Sequence, residues 1–277
     1  MAGFLLVNPR SGDDRPTSDE LVAAARARGI GTHVLQAGED AASLARETDA
    51  EALGIAGGDG SLAAVAQVAL EREQPFVCVP FGTRNHFARD VGLDRDDPIA
   101  SLAAFDGLER RIDVGRAGER LFLNNVSLGM YARLVHRREH HRRRRETLAR
   151  LRAWAILFTH RRPLGISVDG ETAETRLVLI ANNAYVVDLP SIGARDRLDE
   201  GLLHVYLLSG GVEERTGTSF AIDADTHRLE AAVDGEPDVL ETPLEFRIEP
   251  RALRVLVPPG VQDVGDQRVE RELVADR

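Results

Sequence analysis

A glycine-rich turn that carries a single carboxylate is the feature of the sequence best suited to chemistry. Residues 57–61 read Gly57-Gly58-Asp59-Gly60-Ser61, between a short apolar run and the helix-like stretch Leu62–Leu70. Glycines let phosphate oxygens approach the backbone closely, and a helix start offers N–H groups to an anion. A carboxylate repels phosphate unless a cation such as Mg²⁺ lies between them. The turn therefore indicates a nucleotide and metal site, with a plain strand-to-helix turn as the alternative.

Two further polar turns follow apolar runs in the same way. Asn8-Pro9-Arg10-Ser11-Gly12 follows Phe4–Val7, and Gly82-Thr83-Arg84-Asn85 comes shortly after Phe76–Val79. Short apolar strands that alternate with helices predict a parallel sheet, and such sheets bind ligands at the carboxyl ends of their strands. We therefore expect all three turns to lie together at one edge of the sheet.

The spacing of the apolar segments changes after about residue 113. Before it, alternating strands and helices predict a doubly wound α/β nucleotide-binding domain over residues 1–115. After it, strands separated by Gly, Asp, Asn and Pro turns predict an antiparallel β-sandwich domain over residues 116–258. The polar tail 259–277 could dock back on the first domain. The expected fold class is thus α/β plus all-β.

Composition excludes several classes of function. All 35 basic residues are arginine, so a Walker-type phosphate loop and Schiff-base chemistry, which need lysine, are excluded. The one cysteine, Cys78, lies in an apolar run, where we expect a buried and inert thiol. The N-terminus shows no signal-peptide pattern, and no apolar run reaches the length of a membrane span. These features predict a cytoplasmic protein.

A strongly basic segment interrupts the β pattern. Arg133–Arg162 contains eleven arginines against two glutamates, a local net charge of +9 in a chain whose net charge is −10. Arginines near Trp154 and apolar residues at helical spacing suit an anionic membrane surface, so we expect peripheral membrane association. A solvated charged helix is the alternative. Nucleic acid is not expected as a partner, because the acidic remainder of the chain would repel it.

Seven short motifs are spread along nearly the whole chain. They are Asn8-Pro9-Arg10-Ser11-Gly12, Gly57-Gly58-Asp59-Gly60-Ser61, Pro80-Phe81-Gly82-Thr83-Arg84-Asn85-His86-Phe87-Ala88-Arg89, Arg111-Ile112-Asp113-Val114-Gly115, Asn125-Val126-Ser127-Leu128-Gly129, Asp199-Glu200-Gly201-Leu202-Leu203 and Asp234-Gly235-Glu236-Pro237. In this order the chain resembles the bacterial diacylglycerol kinases, lipid kinases related to sphingosine and ceramide kinases within the NAD-kinase-like superfamily. Residues from about 130 to 195 match only loosely.

The resemblance implies an ATP- and Mg²⁺-dependent kinase that phosphorylates the hydroxyl of a membrane lipid, diacylglycerol by default. It places Asp59 and Asp113 at the catalytic Mg²⁺ and a second, structural metal at Asp199 and Glu200. It assigns the base to the pair Asp234 and Glu236 in the second domain, which would take the lipid. It implies that residues of the three turns hold the nucleotide: Asn8, Pro9, Arg10, Ser11, Gly12, Gly57, Gly58, Asp59, Gly60, Ser61, Gly82, Thr83 and Asn85.

A carboxylate base is also expected on chemical grounds, independently of the resemblance. An alcohol is a weak nucleophile, so a carboxylate within hydrogen-bond reach of it assists phosphoryl transfer. Asp234 and Glu236 flank a glycine, so in a strand both would face one side, with Asp234 slightly favoured as the base. Asp-Gly also favours a hairpin turn, and the nearly identical Val168-Asp169-Gly170-Glu171 is expected to be one.

Three positions depart from the family pattern. His86 stands where the family commonly has an acidic residue, and Glu200 stands where aspartate is usual. Asp13 follows Ser11-Gly12, where the family often has a basic residue. Two other functions therefore stay open, a kinase of a soluble hydroxyl compound such as NAD and a nucleotide- or lipid-binding module without turnover. The oligomeric state is open as well, a homodimer included.

Overall fold

A computed structural model describes residues 2–12, 16–82, 85–129, 164–185, 194–209 and 211–261. Within these ranges the chain divides into two compact units. The first comprises Met1–Val114, Asn183–Gly201 and Glu249–Arg277, and the second comprises Gly115–Asn182 and Leu202–Ile248. The first unit is α/β and the second is all-β, so the predicted fold class is confirmed. The linear domain bounds 1–115 and 116–258 stay a prediction.

A parallel sheet forms the centre of the first unit, with strands in the order β2-β1-β3-β4. These strands are β1 (Gly3–Val7), β2 (Gly31–Val34), β3 (Ala52–Gly57) and β4 (Phe76–Pro80). Strands β3 and β4 are entirely buried, which explains why they are continuous apolar runs without alternation. Because the four strands are parallel, their carboxyl ends share one edge of the sheet.

Helices connect these strands, as the alternating pattern predicts. They are α1 (Ser18–Ala27), α2 (Ala41–Glu47), α3 (Asp59–Glu71), α4 (His86–Asp90), α5 (Pro98–Ser101) and a 3-10 helix (Leu102–Asp106). Helix α1 begins at Ser18, because Thr17 and Glu20 form a capping box there. The apolar faces of α1 and the 3-10 helix pack with β1 and β4 in one core cluster that includes Leu5, Leu21, Val77 and Phe105.

Two antiparallel sheets form the second unit. One has six strands in the order β12-β11-β10-β7-β14-β15, and the other contains β16-β13-β8-β9, with β6 paired to β5. The strands are β5 (Leu108–Ala117), β6 (Arg120–Phe122), β7 (Asn125–Gly129), β8 (Leu164–Val168), β9 (Glu171–Thr175), β10 (Leu177–Asn182), β11 (Leu203–Leu208), β12 (Val212–Gly217), β13 (Ser219–Ala224), β14 (Arg228–Val233), β15 (Glu236–Glu241) and β16 (Leu244–Val257). Strands β5 and β16 contribute residues to both units.

Side chains from both sheets meet in one core, so the predicted β-sandwich is confirmed. Val126, Val178 and Val205 from the six-stranded sheet share a cluster with Val168 and Phe246 from the other. Asp169 and Gly170 join β8 to β9 with φ of 53° and 81°, the two-residue hairpin turn expected there.

Several predicted features lie outside the described residues. These are Thr83, Asp13, the basic segment Arg133–Arg162 and the tail beyond residue 261. Within the ranges that the structure does describe, none of the helices combines the length and apolar character needed to cross a bilayer.

Cys78 should resist alkylation in the native protein. Its side chain is fully buried in β4, and burial, helped by the nearby Asp59 carboxylate, raises the pKa of the thiol well above its usual value. Since the thiolate is the reactive form, iodoacetamide at pH 8 should leave native Cys78 unmodified, whereas urea-unfolded chain should react fully. Mass spectrometry of the intact protein measures both, and rapid modification of the native state would contradict the buried placement.

Candidate active site

The three polar turns lie together at the carboxyl edge of the parallel sheet, as expected. A Cβ atom placed on Gly82 would lie 2.6 Å from Cα of Gly58, and one placed on Gly58 would lie 3.9 Å from Oγ of Ser11. Only glycine at position 82 permits this approach of backbone to backbone. The turns after β1, β3 and β4 therefore form one continuous surface.

The turn after β1 is folded by its own asparagine. The backbone N–H of Asn8 donates to the Ala56 carbonyl at 2.8 Å, and the Asn8 side-chain oxygen accepts from the Arg10 N–H at 3.1 Å. Gly12 lies against the Phe81 ring, where a Cβ atom would come within 2.6 Å of a ring carbon. Pro9 and Arg10 are exposed, so the Arg10 guanidinium is available to solvent beside the glycine turn.

The glycine turn leaves the start of helix α3 open to an anion. Gly58 is the N-cap residue, and it provides no side-chain hydrogen bond to the first turn of the helix. Ser61 Oγ donates to the Gly58 carbonyl at 2.9 Å and fills the space that a Cβ atom on Gly57 would need. The helix end therefore presents backbone N–H groups and the positive end of the helix dipole, with Gly60 in its first turn.

Asp59 is the first residue of α3, yet its carboxylate binds the start of a different helix. Oδ2 accepts from the His86 N–H and Oδ1 from the Phe87 N–H, each at 3.2 Å, and the residue is 9 % exposed. Each carboxylate oxygen has a second lone-pair direction, so these bonds leave capacity for a cation. Asp59 thus positions α4 against the glycine turn and can also contribute one oxygen ligand.

Asn85 closes the turn after β4. It adopts a left-handed conformation with φ of 46°, and its side chain accepts from the Gly82 N–H at 2.9 Å and donates to the Gly82 carbonyl at 2.6 Å. Non-glycine residues in this region are strained and occur where surrounding bonds enforce them. Asn85 is 3 % exposed, so its side chain shapes the loop instead of projecting from it.

An ion pair that the sequence analysis missed fixes the far end of α4. Arg195 is fully buried and donates from Nε to Asp90 Oδ2 at 2.8 Å, while Arg89 pairs with Oδ1 of the same carboxylate at 2.6 Å. The partners Asp90 and Arg195 are 105 residues apart in sequence, so no local pattern points to them. Helix α4 is therefore held by Asp59 at one end and by Arg195 at the other.

Two carboxylates predicted at metals, Asp113 in β5 and Glu200 before β11, accept backbone N–H groups. Asp113 is completely buried, with Oδ2 accepting from the Gly201 N–H at 2.6 Å and Oδ1 from the Arg251 N–H at 2.7 Å. Glu200 Oε2 accepts from the Ala184 N–H at 3.0 Å. Among the residues that the structure describes, His, Cys, Asp and Glu side chains form no group of three suited to holding a metal ion.

Asp234 and Gly235 form a hairpin turn between β14 and β15, so the expectation that Asp234 and Glu236 lie in one strand is wrong. Val233 pairs with Glu236, and the two turn residues have φ of 49° and 84°. Asp-Gly adopts this turn because both positions require positive φ. The Asp234 carboxylate is 6 % exposed and accepts three backbone N–H groups, those of residues 123, 124 and 125, at 2.7–3.1 Å. Glu236, by contrast, is exposed.

Comparison with known proteins shows a similarity to diacylglycerol and lipid kinases. Residues 2–117 match the model of the diacylglycerol kinase catalytic domain. A protein of Klebsiella pneumoniae (strain 342) named "Probable lipid kinase YegS-like" is 25 % identical over 93 % of this chain and 96 % of its own length. The "Diacylglycerol kinase" of Bacillus subtilis (strain 168) is 30 % identical over 38 % of this chain and 37 % of its own length. Residues 2–117 are thus similar to the diacylglycerol kinase catalytic domain, and the chain as a whole is similar to bacterial proteins named as lipid kinases.

A solved structure supports the fold of the chain. A crystal structure of a diacylglycerol kinase from Bacillus anthracis str. Sterne has a TM-score of 0.70 and 19 % identity, and the match covers 94 % of this chain and 98 % of that one. The relatives that the chain resembles are named as kinases. The matched segment 2–117 contains all three converging turns together with Asp113.

Proposed function

We propose that the chain is an ATP- and Mg²⁺-dependent kinase that phosphorylates the hydroxyl of a membrane lipid, diacylglycerol by default. The observation that carries the proposal is the approach of Gly58 to Gly82, where a Cβ atom on Gly82 would lie 2.6 Å from the Gly58 backbone. This contact joins the turns after β3 and β4, and Ser11 brings the turn after β1 beside Gly58, so the three form a cradle at the sheet edge where α/β proteins bind ligands. The similarity to proteins named as kinases supplies the reaction class.

Backbone N–H groups and Arg10 would hold the phosphates of ATP. The start of α3 behind Gly58 has no side-chain cap, and Arg10 stands exposed on the neighbouring turn. Mg²⁺ in such sites is bound by one or two carboxylates together with phosphate oxygens, and it neutralises the charge that develops on the transferred group. Asp59 would be the carboxylate that the cradle provides. Its hydrogen bonds to α4 would keep that oxygen in place between turnovers.

Glu236 is the better candidate for the base. It is exposed at the first position of β15, whereas the Asp234 carboxylate is buried under three backbone N–H groups. A base must reach the proton of the acceptor hydroxyl, and a carboxylate engaged by the backbone is poorly placed for that. We assign Asp234 the role of holding the strand start at residues 123–125, and Glu236 the role of accepting the proton.

If the acceptor is a membrane lipid, the protein must act at a membrane surface. We propose that Arg133–Arg162 provides a basic surface for anionic lipid and that the protein is cytoplasmic and peripherally associated with the membrane. That segment lies outside the described residues, so its charge is the sole support. Presenting the acceptor in anionic vesicles should therefore favour turnover, and high salt should weaken it.

A labelled-phosphate assay tests the proposal. The protein is incubated with γ-labelled ATP and Mg²⁺, with diacylglycerol in anionic vesicles, a total lipid extract and NAD as separate acceptors. We expect transfer to the lipid and none when Mg²⁺ is chelated. Gly82→Ala should lower turnover about 10²-fold, because misplacing a positioned reactant by about 1 Å has an effect of that size.

The matched control is Gly211→Ala, where an added Cβ atom meets nothing within 4 Å. This variant should keep the parent rate and the parent affinity for ATP. Transfer to NAD alone would replace the proposal with a soluble kinase. Binding of ATP without transfer to any acceptor would indicate a binding module, and absence of ATP binding would exclude the nucleotide site itself.

A further inference from the structure

The loop Arg197–Gly201, here called the Asp199 loop, is where the resemblance implies a structural metal ion. A structural ion of Mg²⁺ or Ca²⁺ type needs several oxygen ligands that converge on one point. In the Asp199 loop the carboxylates are instead directed to N–H groups and to arginine. Asp199 Oδ1 accepts from Nε and Nη2 of Arg197 at 3.3 and 3.1 Å, and Oδ2 accepts from Nη2 of Arg251 at 3.0 Å.

The neighbouring carboxylates are similarly engaged. Both oxygens of Asp113 accept backbone N–H groups, those of Gly201 and Arg251, and Glu200 accepts from Ala184. The backbone N–H of Glu200 in turn donates to the Asn183 side-chain oxygen at 2.9 Å. The donor set therefore fits a structural metal poorly, because these carboxylates are directed at separate N–H and guanidinium groups and, among the described residues, no three of them are grouped so as to hold an ion.

Arg251 contacts two of these carboxylates, those of Asp113 and Asp199. It has a left-handed backbone with φ of 50°, which aims its N–H at buried Asp113 while its guanidinium reaches Asp199. One residue thus ties β16 both to β5 and to the Asp199 loop. Arginine is permanently charged and carries several N–H donors, so it can neutralise a carboxylate without an ion.

We propose that the Asp199 loop is closed by Arg251 and Arg197 in place of a structural metal ion, and that its folding is independent of divalent cations. The proposal does not depend on the kinase activity, since it concerns only how these segments are held. It predicts that a chelator leaves the loop intact. It also predicts that the two arginines, and not an added cation, determine how slowly the backbone amides of the loop exchange with solvent.

The first experiment measures thermal unfolding of the full chain without nucleotide, in EDTA, in millimolar Mg²⁺ and in millimolar Ca²⁺ at matched ionic strength. A structural ion present at about a hundred times its Kd would raise the midpoint by about 5–10 °C. We expect the midpoints to coincide. A rise that Asp199→Asn abolishes would overturn the proposal, whereas a rise equal in parent and Asp199→Asn would come from an ion bound elsewhere and leave it standing.

The second experiment follows hydrogen exchange of peptides that contain the Gly201 amide in EDTA. Exposed ion pairs contribute modestly, so the double variant Arg197→Gln with Arg251→Gln should exchange about two- to ten-fold faster. Arg28→Gln, at an exposed arginine on the helix α1 C-cap, is the matched control and should leave exchange unchanged. Unchanged exchange in the double variant, combined with slower exchange of the parent on adding Mg²⁺ or Ca²⁺, would overturn the proposal.

Discussion

Replacing Glu236 with glutamine is expected to lower the rate of phosphoryl transfer to lipid about 10²- to 10⁴-fold, the range for loss of a positioned general base. Glutamine keeps the size and hydrogen-bonding reach of the side chain but cannot take up the proton of the acceptor hydroxyl. Affinity for ATP should stay within a few-fold of the parent, because the proposed nucleotide cradle is built from other residues. Turnover and ATP binding are measured separately, by label transfer and by calorimetry.

Two variants separate catalysis from structure at this hairpin. Glu241→Gln makes the same chemical change at the exposed far end of β15 and should keep the parent rate. Asp234→Asn places an N–H donor against backbone N–H groups, so it should lower the free energy of unfolding by about 1.5–3 kcal/mol. If Glu236→Gln turned over lipid at the parent rate, the proposed base would be wrong whatever the behaviour of Asp234→Asn.

Replacing Asp90 with alanine is expected to destabilise the first unit by about 3–5 kcal/mol, because it removes the carboxylate partner of a buried arginine. The Arg195 side chain is 0 % exposed and the Asp90 side chain 2 %, so water cannot take the place of the lost oxygen. Helices α1 and α3 belong to the first unit, so hydrogen exchange of their peptides at increasing urea concentration reports on its unfolding.

Asp96→Ala is the control, since Asp96 is exposed six residues further along the chain, and it should change stability by less than about 0.5 kcal/mol. A double variant, Asp90→Leu with Arg195→Met, should recover much of the lost stability, because neither charge of this pair then remains in the interior without the other. A loss below about 1 kcal/mol for Asp90→Ala would mean that the pair does not hold α4.

The features that the sequence predicted well depend on short stretches of chain. The strand, glycine turn and helix around Gly58 are each signalled within a few residues, and the parallel topology then brings the turns at Asn8 and Gly82 to the same edge. The polar strands β9 and β12 are hard to predict, because their apolar and polar residues do not alternate clearly. β9 and β12 read Glu-Thr-Ala-Glu-Thr and Val-Glu-Glu-Arg-Thr-Gly, and both are largely exposed strands at sheet edges.

Contacts between distant segments could not be predicted from local patterns. Asp234 lies in a motif whose residue types suit catalysis, yet its buried carboxylate accepts N–H groups about 110 residues earlier in the chain. The Asp90 carboxylate likewise pairs with Arg195, which lies in a segment whose sequence pattern predicts no such contact. A single sequence gives the type of such residues but not the neighbour that determines their role.

The first unit is assembled from three separate stretches of the polypeptide, and this affects how it is synthesised. The Asp113 carboxylate receives the N–H of Arg251 138 residues later. A ribosome that has released only the N-terminal stretch has delivered neither Arg195 nor Arg251, so at that stage Asp90 lacks one of its two arginine partners and Asp113 lacks the Arg251 N–H. Domains that are contiguous in sequence fold in order of emergence. Here the β-sandwich interrupts the first unit, so its last contacts can form only after Arg251 has been translated.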